Sequence, residues 1–194
     1  SSDNSWDKSD ILLGHVTHTG GLAAGSEYQA TLKSYIDASG KPVKITLPPL
    51  KDGNWHIVVR PDAYNEVYEG NIRYTETGLI SDPAEANNVT SSAATVAVTV
   101  PSITLGTAQE LSLVSGETKL YKLNVQDGET LRILLNSTTN TANNEVYVRY
   151  GDIPNGYNYD AAYTQGLSAN QTVLIPTTKA GDYYILVKAR DTGK

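Results

Sequence analysis

The chain has no cysteine, no methionine and no phenylalanine. The first absence removes disulfide staples and thiolate metal sites. The other two leave the bulk of the apolar work to Val, Ile, Leu and thirteen tyrosines, a composition suited to β-strands with one wet face. Histidine is scarce as well, with only His15, His18 and His56. His15 and His18 lie three apart on a candidate strand, face opposite sides, and so cannot jointly hold a metal. His56 alternates with Trp55 and Ile57 and reads as a solvent-facing strand residue. No G-x-S-x-G, H-E-x-x-H or glycine-rich phosphate loop occurs, so the chain is expected not to be an enzyme.

Long apolar runs are missing too. Nothing approaches the roughly 20 residues that span a bilayer, and no signal-peptide core is visible. Apolar spacing at i, i+3, i+4 is not sustained anywhere, which argues against helices. The formal charge is −6, with twelve acids against seven bases in residues 1–100 and nine against eight in residues 101–194. An acidic chain without a Lys/Arg cluster is a poor partner for phosphate backbones, and nucleic-acid binding is excluded. The chain opens SSDNSW and stops just after a strong strand pattern. It is therefore expected to be a fragment of a larger exported protein, with no membrane insertion of its own and with neighbouring domains as partners.

What is present is a pattern that occurs twice. Residues 47–59 read LPPLKDGNWHIVV and residues 175–187 read IPTTKAGDYYILV, identical at five of thirteen positions. In each, a proline that cannot donate to a ladder precedes a polar turn containing a glycine, Gly53 or Gly181. An aromatic and β-branched run follows, Trp55–Val59 or Tyr183–Val187, as a strand requires. Around them the pattern predicts further strands at Ile11–Val16, Tyr28–Tyr35, Val43–Leu47 and Thr95–Val100. The second half adds Leu111–Val114, Leu120–Val125, Thr130–Leu135, Val146–Tyr150 and Thr172–Ile175. Turns are expected at Ser115–Gly116 and Asp127–Gly128. Pro101 ends the first half, giving domains at 1–100 and 101–194. The segments around the paired element do not repeat, so it reads as a shared way of feeding a strand from a turn.

Two stretches could carry function. Residues 60–88 hold Asp62, Glu66, Glu69, Asp82, Glu85 and Asn87, followed by Asn88, with only Arg60 and Arg73 opposing them. Such oxygens are what Ca²⁺ requires, although no EF-hand spacing is present. The alternative is a solvated acidic loop whose asparagines turn the chain. The second stretch is rich in tyrosine: Tyr147, Tyr150, Tyr157, Tyr159 and Tyr163. Tyr157, Tyr159 and Tyr163 are candidates for stacking on a sugar or packing on an extracellular protein. The alternative is structural, with Tyr150 in the core alongside Val146 and Val148, and the Tyr159–Asp160 pair pinning the loop.

Two family resemblances follow from these residues. Trp6 with ILLG (11–14), GGLAAGSEY (20–28), LPPLKDGNWHIVVRPD (47–62), NEVYEG (65–70) and DPAEANN (82–88) resemble a CARDB module, a bacterial cell-adhesion-related β-sandwich. The interval between Glu69 and Glu85 is longer than that pattern. SGETKLYKLNV (115–125), GETLRILL (128–135), VYVRYGDIP (146–154) and IPTTKAGDYYILV (175–187) resemble a bacterial pre-peptidase C-terminal domain. Together they imply an all-β chain of two tandem β-sandwich domains, immunoglobulin-like followed by jelly-roll-like. They further imply a secreted or cell-surface location and a role in adhesion, ligand binding or spacing. The alternative is an accessory substrate-targeting module of a secreted peptidase or glycoside hydrolase. Relatives of the second family can use tyrosines of this kind as a ligand-binding face, for example on collagen.

Overall fold

The computed structural model describes residues 1–16, 20–21, 23, 26–27, 34–36, 42–44, 47–61, 73–74, 80–81 and 88–190. Among the described residues there is no helix, and the regular structure is β, largely antiparallel, with one isolated parallel bridge. The chain divides into two compact units: Ser1–Pro48 with Gly53–Ala97, and Pro49–Asp52 with Val98–Lys194. The tetrapeptide Pro49–Asp52 thus belongs with the second half of the sequence. No helix among the described residues is long and apolar enough to cross a membrane.

The first unit is built from short strands: β1 (Ser34–Ile36), β2 (Pro42–Lys44), β3 (Gly53–Trp55), β4 (Val58–Val59), β5 (Arg73–Tyr74), β6 (Ile80–Ser81), β7 (Thr90–Ser91) and β8 (Val96–Val98). They pair as β1 with β2, β3 with β8, β4 with β7 and β5 with β6. The continuous strand expected at Trp55–Val59 is interrupted at His56–Ile57. The His56 N–H donates to the Ser1 carbonyl at 2.9 Å and its own carbonyl accepts from the Ser1 amine at 3.0 Å. These bonds draw the backbone out of the ladder. His56 is half-buried, its Nδ1 enclosed and unpartnered, and so is not the solvent-facing strand residue that alternation suggested. Ile11–Val16 forms no strand either, and Ile11, Leu12 and Val16 are exposed. Trp6 lies under the Arg60 guanidinium at 4.2 Å from the ring centre, a cation–π contact. Of the expected Tyr28–Tyr35 strand, residues 28–33 lie outside the described residues.

The second unit continues with β9 (Thr118–Val125), β10 (Leu131–Leu135), β11 (Asn144–Tyr150), β12 (Ala161–Ala162), β13 (Gln171–Ile175) and β14 (Gly181–Ala189). Four of these form one sheet in the order β12-β11-β14-β9, and β10 pairs with β13. Strand alternation fills the space between the two sheets. Tyr121, Leu123, Val125, Val146, Val148, Tyr183, Ile185 and Val187 from the larger sheet meet Leu131, Val173 and Ile175 from the smaller. Full burial of an aliphatic side chain of this size stabilises by about 1.5–3 kcal/mol. Leu111 and Leu113 pack onto the same core without joining a ladder, so the expected strand at Leu111–Val114 is an extended segment. Gly116 and Gly128 sit at φ 84° and 78° in the turns before β9 and β10, a conformation costly for other residues. Buried Thr178 braces the β9–β10 turn. Its hydroxyl donates to the Gln126 carbonyl at 2.6 Å and accepts from Glu129 N–H at 3.0 Å.

Candidate ligand-binding surface

Strand β11 reads NEVYVRY, and its alternation sorts two sets of side chains. Val146 and Val148 point between the sheets, while Glu145, Tyr147 and Arg149 lie on the outer face. There Tyr147 packs with Val100, Leu120, Tyr184 and Leu186 in a second apolar cluster, joined by Ile153, Ala162 and Tyr163. The outer face is therefore covered by the chain that follows β11, residues 151–163.

That segment is held at every turn. Asp152 bridges Lys51 and Arg149, at 2.7 Å to each, and Lys51 also donates to the Gly151 carbonyl at 2.9 Å. Lys51 draws the Asp152 carboxyl below its ordinary pKa. Asn155 Oδ1 accepts from the backbone N–H of Tyr157 and of Asn158, both at 2.9 Å, closing an Asx-turn. Asp160 then anchors the return: its N–H donates to the Val148 carbonyl at 2.8 Å and its carboxylate accepts from Tyr150 N–H at 2.7 Å. Tyr163 N–H donates to the Val146 carbonyl at 2.9 Å, completing a short antiparallel addition to the sheet edge.

The three candidate tyrosines take different places on this frame. Tyr157 stands on the Asx-turn and is 100% exposed. Tyr159 is 45% exposed and tilts against Tyr147, with ring centres 5.5 Å apart. Tyr163 meets Tyr147 edge-on at 5.6 Å and donates its hydroxyl to the buried Glu145 carboxylate at 3.0 Å. Burial pushes the Tyr147 phenol far above its ordinary range, with the neighbouring Glu145 carboxylate adding to the shift. Tyr150 shares a face with Val146 and Val148 but is 38% exposed, so it is not the core residue that the structural alternative expected. It packs on Tyr183 at 5.2 Å and donates to the Ala180 carbonyl at 2.9 Å. The result is an aromatic step: a base of buried Tyr147 and half-buried Tyr163, a half-exposed Tyr159, and an open Tyr157.

Glu145 was not legible as part of this group. In sequence it is one more polar strand residue, and only its alternation with Val146 hinted at the outer face. Lys51 and Asp52 read as turn residues. In the structure Asp52 accepts from Val100 N–H and pairs with Lys122 at 2.7 Å, and the Lys122 contact holds its carboxyl below the usual range. Asp62, Glu66, Glu69, Asp82, Glu85 and Asn87 lie outside the described residues. Among the described residues no three His, Asp or Glu side chains converge as metal ligands. Asn88, which follows that set, is buried.

Residues 117–189 match the family model of the bacterial pre-peptidase C-terminal domain. The match runs from the residue before β9 to the end of β14, and so contains the larger sheet, the β10–β13 pair and the tyrosine loop. It agrees with the resemblance drawn from the motifs of the second half; the CARDB resemblance of the first half has no such support. No curated protein and no solved structure matches the chain.

Proposed function

We propose that this chain acts as a non-catalytic accessory part of an exported bacterial polypeptide, and that the loop joining β11 to β12 is its ligand-binding surface. The observation that carries this reading is Tyr157, a fully exposed ring on a turn whose backbone is fixed by Asn155. A rigid aromatic offers large contact area at small entropic cost on binding, on a protein or on the apolar face of a sugar. The matched family's description ties such domains to peptidase precursors, which favours an accessory, substrate-targeting role. The motifs of the first half favour the neighbouring reading, an adhesive or spacing segment of a surface protein. Calcium binding by the acidic stretch between residues 60 and 88 belongs to the same proposal and rests on the sequence alone.

The test uses collagen pull-down and a glycan array, with the whole chain and its Tyr157→Ala variant. Binding by the unsubstituted chain that is lost in Tyr157→Ala supports the ligand surface. Tyr157→Ala should change stability by no more than about 0.5 kcal/mol, so a loss of binding would not reflect unfolding. Silence of the unsubstituted chain in both assays would leave the spacer reading.

A further inference from the structure

Asn155-Gly156 is the only Asn-Gly pair in the chain, and it lies on the turn that carries Tyr157. Pro154 before it is fully buried and anchors the entry to the turn, whereas Asn155 and Gly156 are exposed to water. Asn155 closes the turn from both ends of its own residue. Its N–H donates to the Asn158 carbonyl at 3.1 Å, and its Oδ1 accepts from Tyr157 N–H and Asn158 N–H, both at 2.9 Å. The ring closed by the Tyr157 bond contains two atoms that can react with each other, Asn155 Cγ and the backbone nitrogen of Gly156.

An amide carbonyl whose oxygen accepts two N–H bonds is polarised, and the same donors stabilise the oxyanion that forms when a nucleophile adds to its carbon. Holding nucleophile and carbon in one turn makes the attack a unimolecular step. Gly156 has no side chain to obstruct it. Among the described residues, neither the Gly156 N–H nor Asn155 Nδ2 is tied up in a hydrogen bond. Asp52-Gly53 has the same glycine neighbour but a poor electrophile, because its carboxylate is held ionised by Lys122 and by Val100 N–H.

We propose that Asn155 is a self-modifying site, converted through a cyclic succinimide to aspartate or isoaspartate, and that the conversion releases the turn beneath Tyr157. The Gly156 nitrogen bonds to Cγ and gives up its proton, the bond from Cγ to Nδ2 breaks, and ammonia leaves. One water then opens the ring. Addition at Cγ gives aspartate, and addition at the backbone carbonyl gives isoaspartate, whose main chain runs through Cβ and Cγ. Either product carries a negative charge where the amide was neutral. In isoaspartate the former Oδ1 is a main-chain carbonyl and the chain is longer by a methylene, so the Asx-turn cannot persist. Loss of ligand contact as the protein ages would follow, a consequence that rests on the reading of Tyr157 as a binding residue; the conversion itself does not.

The test incubates the whole chain at neutral pH, folded and in urea, beside the Gly156→Ala variant, and follows Asn155 by peptide mass spectrometry. A Cβ at Gly156 would lie 3.7 Å from the Tyr147 hydroxyl, an ordinary contact, so the variant keeps the turn and hinders the attack. In the folded chain Asn155 should exchange its NH2 for OH before any other asparagine and at least as fast as in urea. Gly156→Ala should slow that exchange at least about tenfold. Chymotrypsin should then cut after Tyr157 faster in the aged chain than in the fresh one, with no such gain in aged Gly156→Ala. The proposal is overturned if Asn155 stays intact in the folded chain or converts there more slowly than in urea. It is equally overturned if Gly156→Ala converts as quickly, or if ageing leaves cleavage after Tyr157 unchanged. None of these readouts uses a ligand, so their failure is distinct from failure of the binding surface.

Discussion

The hydroxyl of Tyr163 donates to Glu145 at 3.0 Å, and that carboxylate, with only 6% of its side chain exposed, also forms an ion pair with Arg190 Nε at 3.1 Å. One acid thus ties the far end of the tyrosine loop to the end of β14. A buried carboxylate is tolerable only when its lone pairs are occupied by donors and a counter-charge is near. Glu145 meets both conditions through Tyr163, Arg190 and the more distant Lys188 at 4.0 Å.

Removing the two partners of that bond should therefore have unequal effects. Tyr163→Phe deletes one hydrogen bond and leaves Arg190 in place, for a loss of about 1 kcal/mol. Glu145→Ala also unpairs Arg190, but that side chain is more than half exposed and can turn to water. The expected loss is then about 1–3 kcal/mol, below that of a fully buried pair. Urea unfolding followed by far-UV circular dichroism measures both, and equal losses would contradict the assignment of Glu145 as the hub.

The paired glycines of the two related segments give a second comparison. Gly181 lies at φ 133°, and a Cβ there would come within 3.1 Å of Tyr150 Cε2 and 3.2 Å of its hydroxyl oxygen. Gly53 lies at φ 149°, and the nearest atom to its Cβ would be Trp55 Nε1 at 3.9 Å. Gly181→Ala carries backbone strain and overpacking together, and should cost about 1–3 kcal/mol more than the strain alone. Gly53→Ala carries only the strain. Both tryptophans lie in the first unit, so tryptophan fluorescence follows Gly53→Ala and near-UV tyrosine dichroism follows Gly181→Ala.

Acid should weaken the second unit through Asp52 and Asp152. Each is held below its ordinary value of 3.8, Asp52 by Lys122 and Asp152 by Lys51. As pH falls, the unfolded chain protonates these groups first, so their contribution is fully present above pH 3.8 and is lost as pH drops through the lower folded values. Both are partly exposed, so the contribution is about 0.2–1 kcal/mol apiece. Asp152→Asn should flatten the fall in melting temperature between neutral and strongly acidic pH. An unchanged slope would show that the pair with Lys51 does not persist in solution.

The calcium expectation has a direct measurement as well. If Asp62, Glu66, Glu69, Asp82, Glu85 and Asn87 hold an ion, excess calcium raises the melting temperature reported by tryptophan fluorescence and a chelator lowers it, because a ligand of the native state stabilises it by mass action. Identical melting in calcium and chelator would identify the stretch as a solvated acidic segment.

The sequence by itself determined the all-β class, the five long strands of the second half and the turns at Ser115–Gly116 and Asp127–Gly128, though not that Leu111–Val114 joins no ladder. Those features follow from period-two alternation, β-branched runs and glycine's access to positive φ, which are local properties. Local rules could not set burial. The segments LPPLKDGNWHIVV and IPTTKAGDYYILV share their turn glycine at positive φ, yet Ile57 is 45% exposed where its counterpart Ile185 is 2% exposed. Strand β14 is flanked by β11 and β9 and lined with apolar residues on both faces, whereas among the described residues β4 has a single two-residue neighbour. Nor could sequence show that Lys51 and Asp52, chosen by turn chemistry, find their charges on Asp152, 101 residues along the chain, and on Lys122, 70 residues along. Those pairings, like the seat of Glu145 beneath Tyr163, depend on which distant strands become neighbours, and only the tertiary structure decides that.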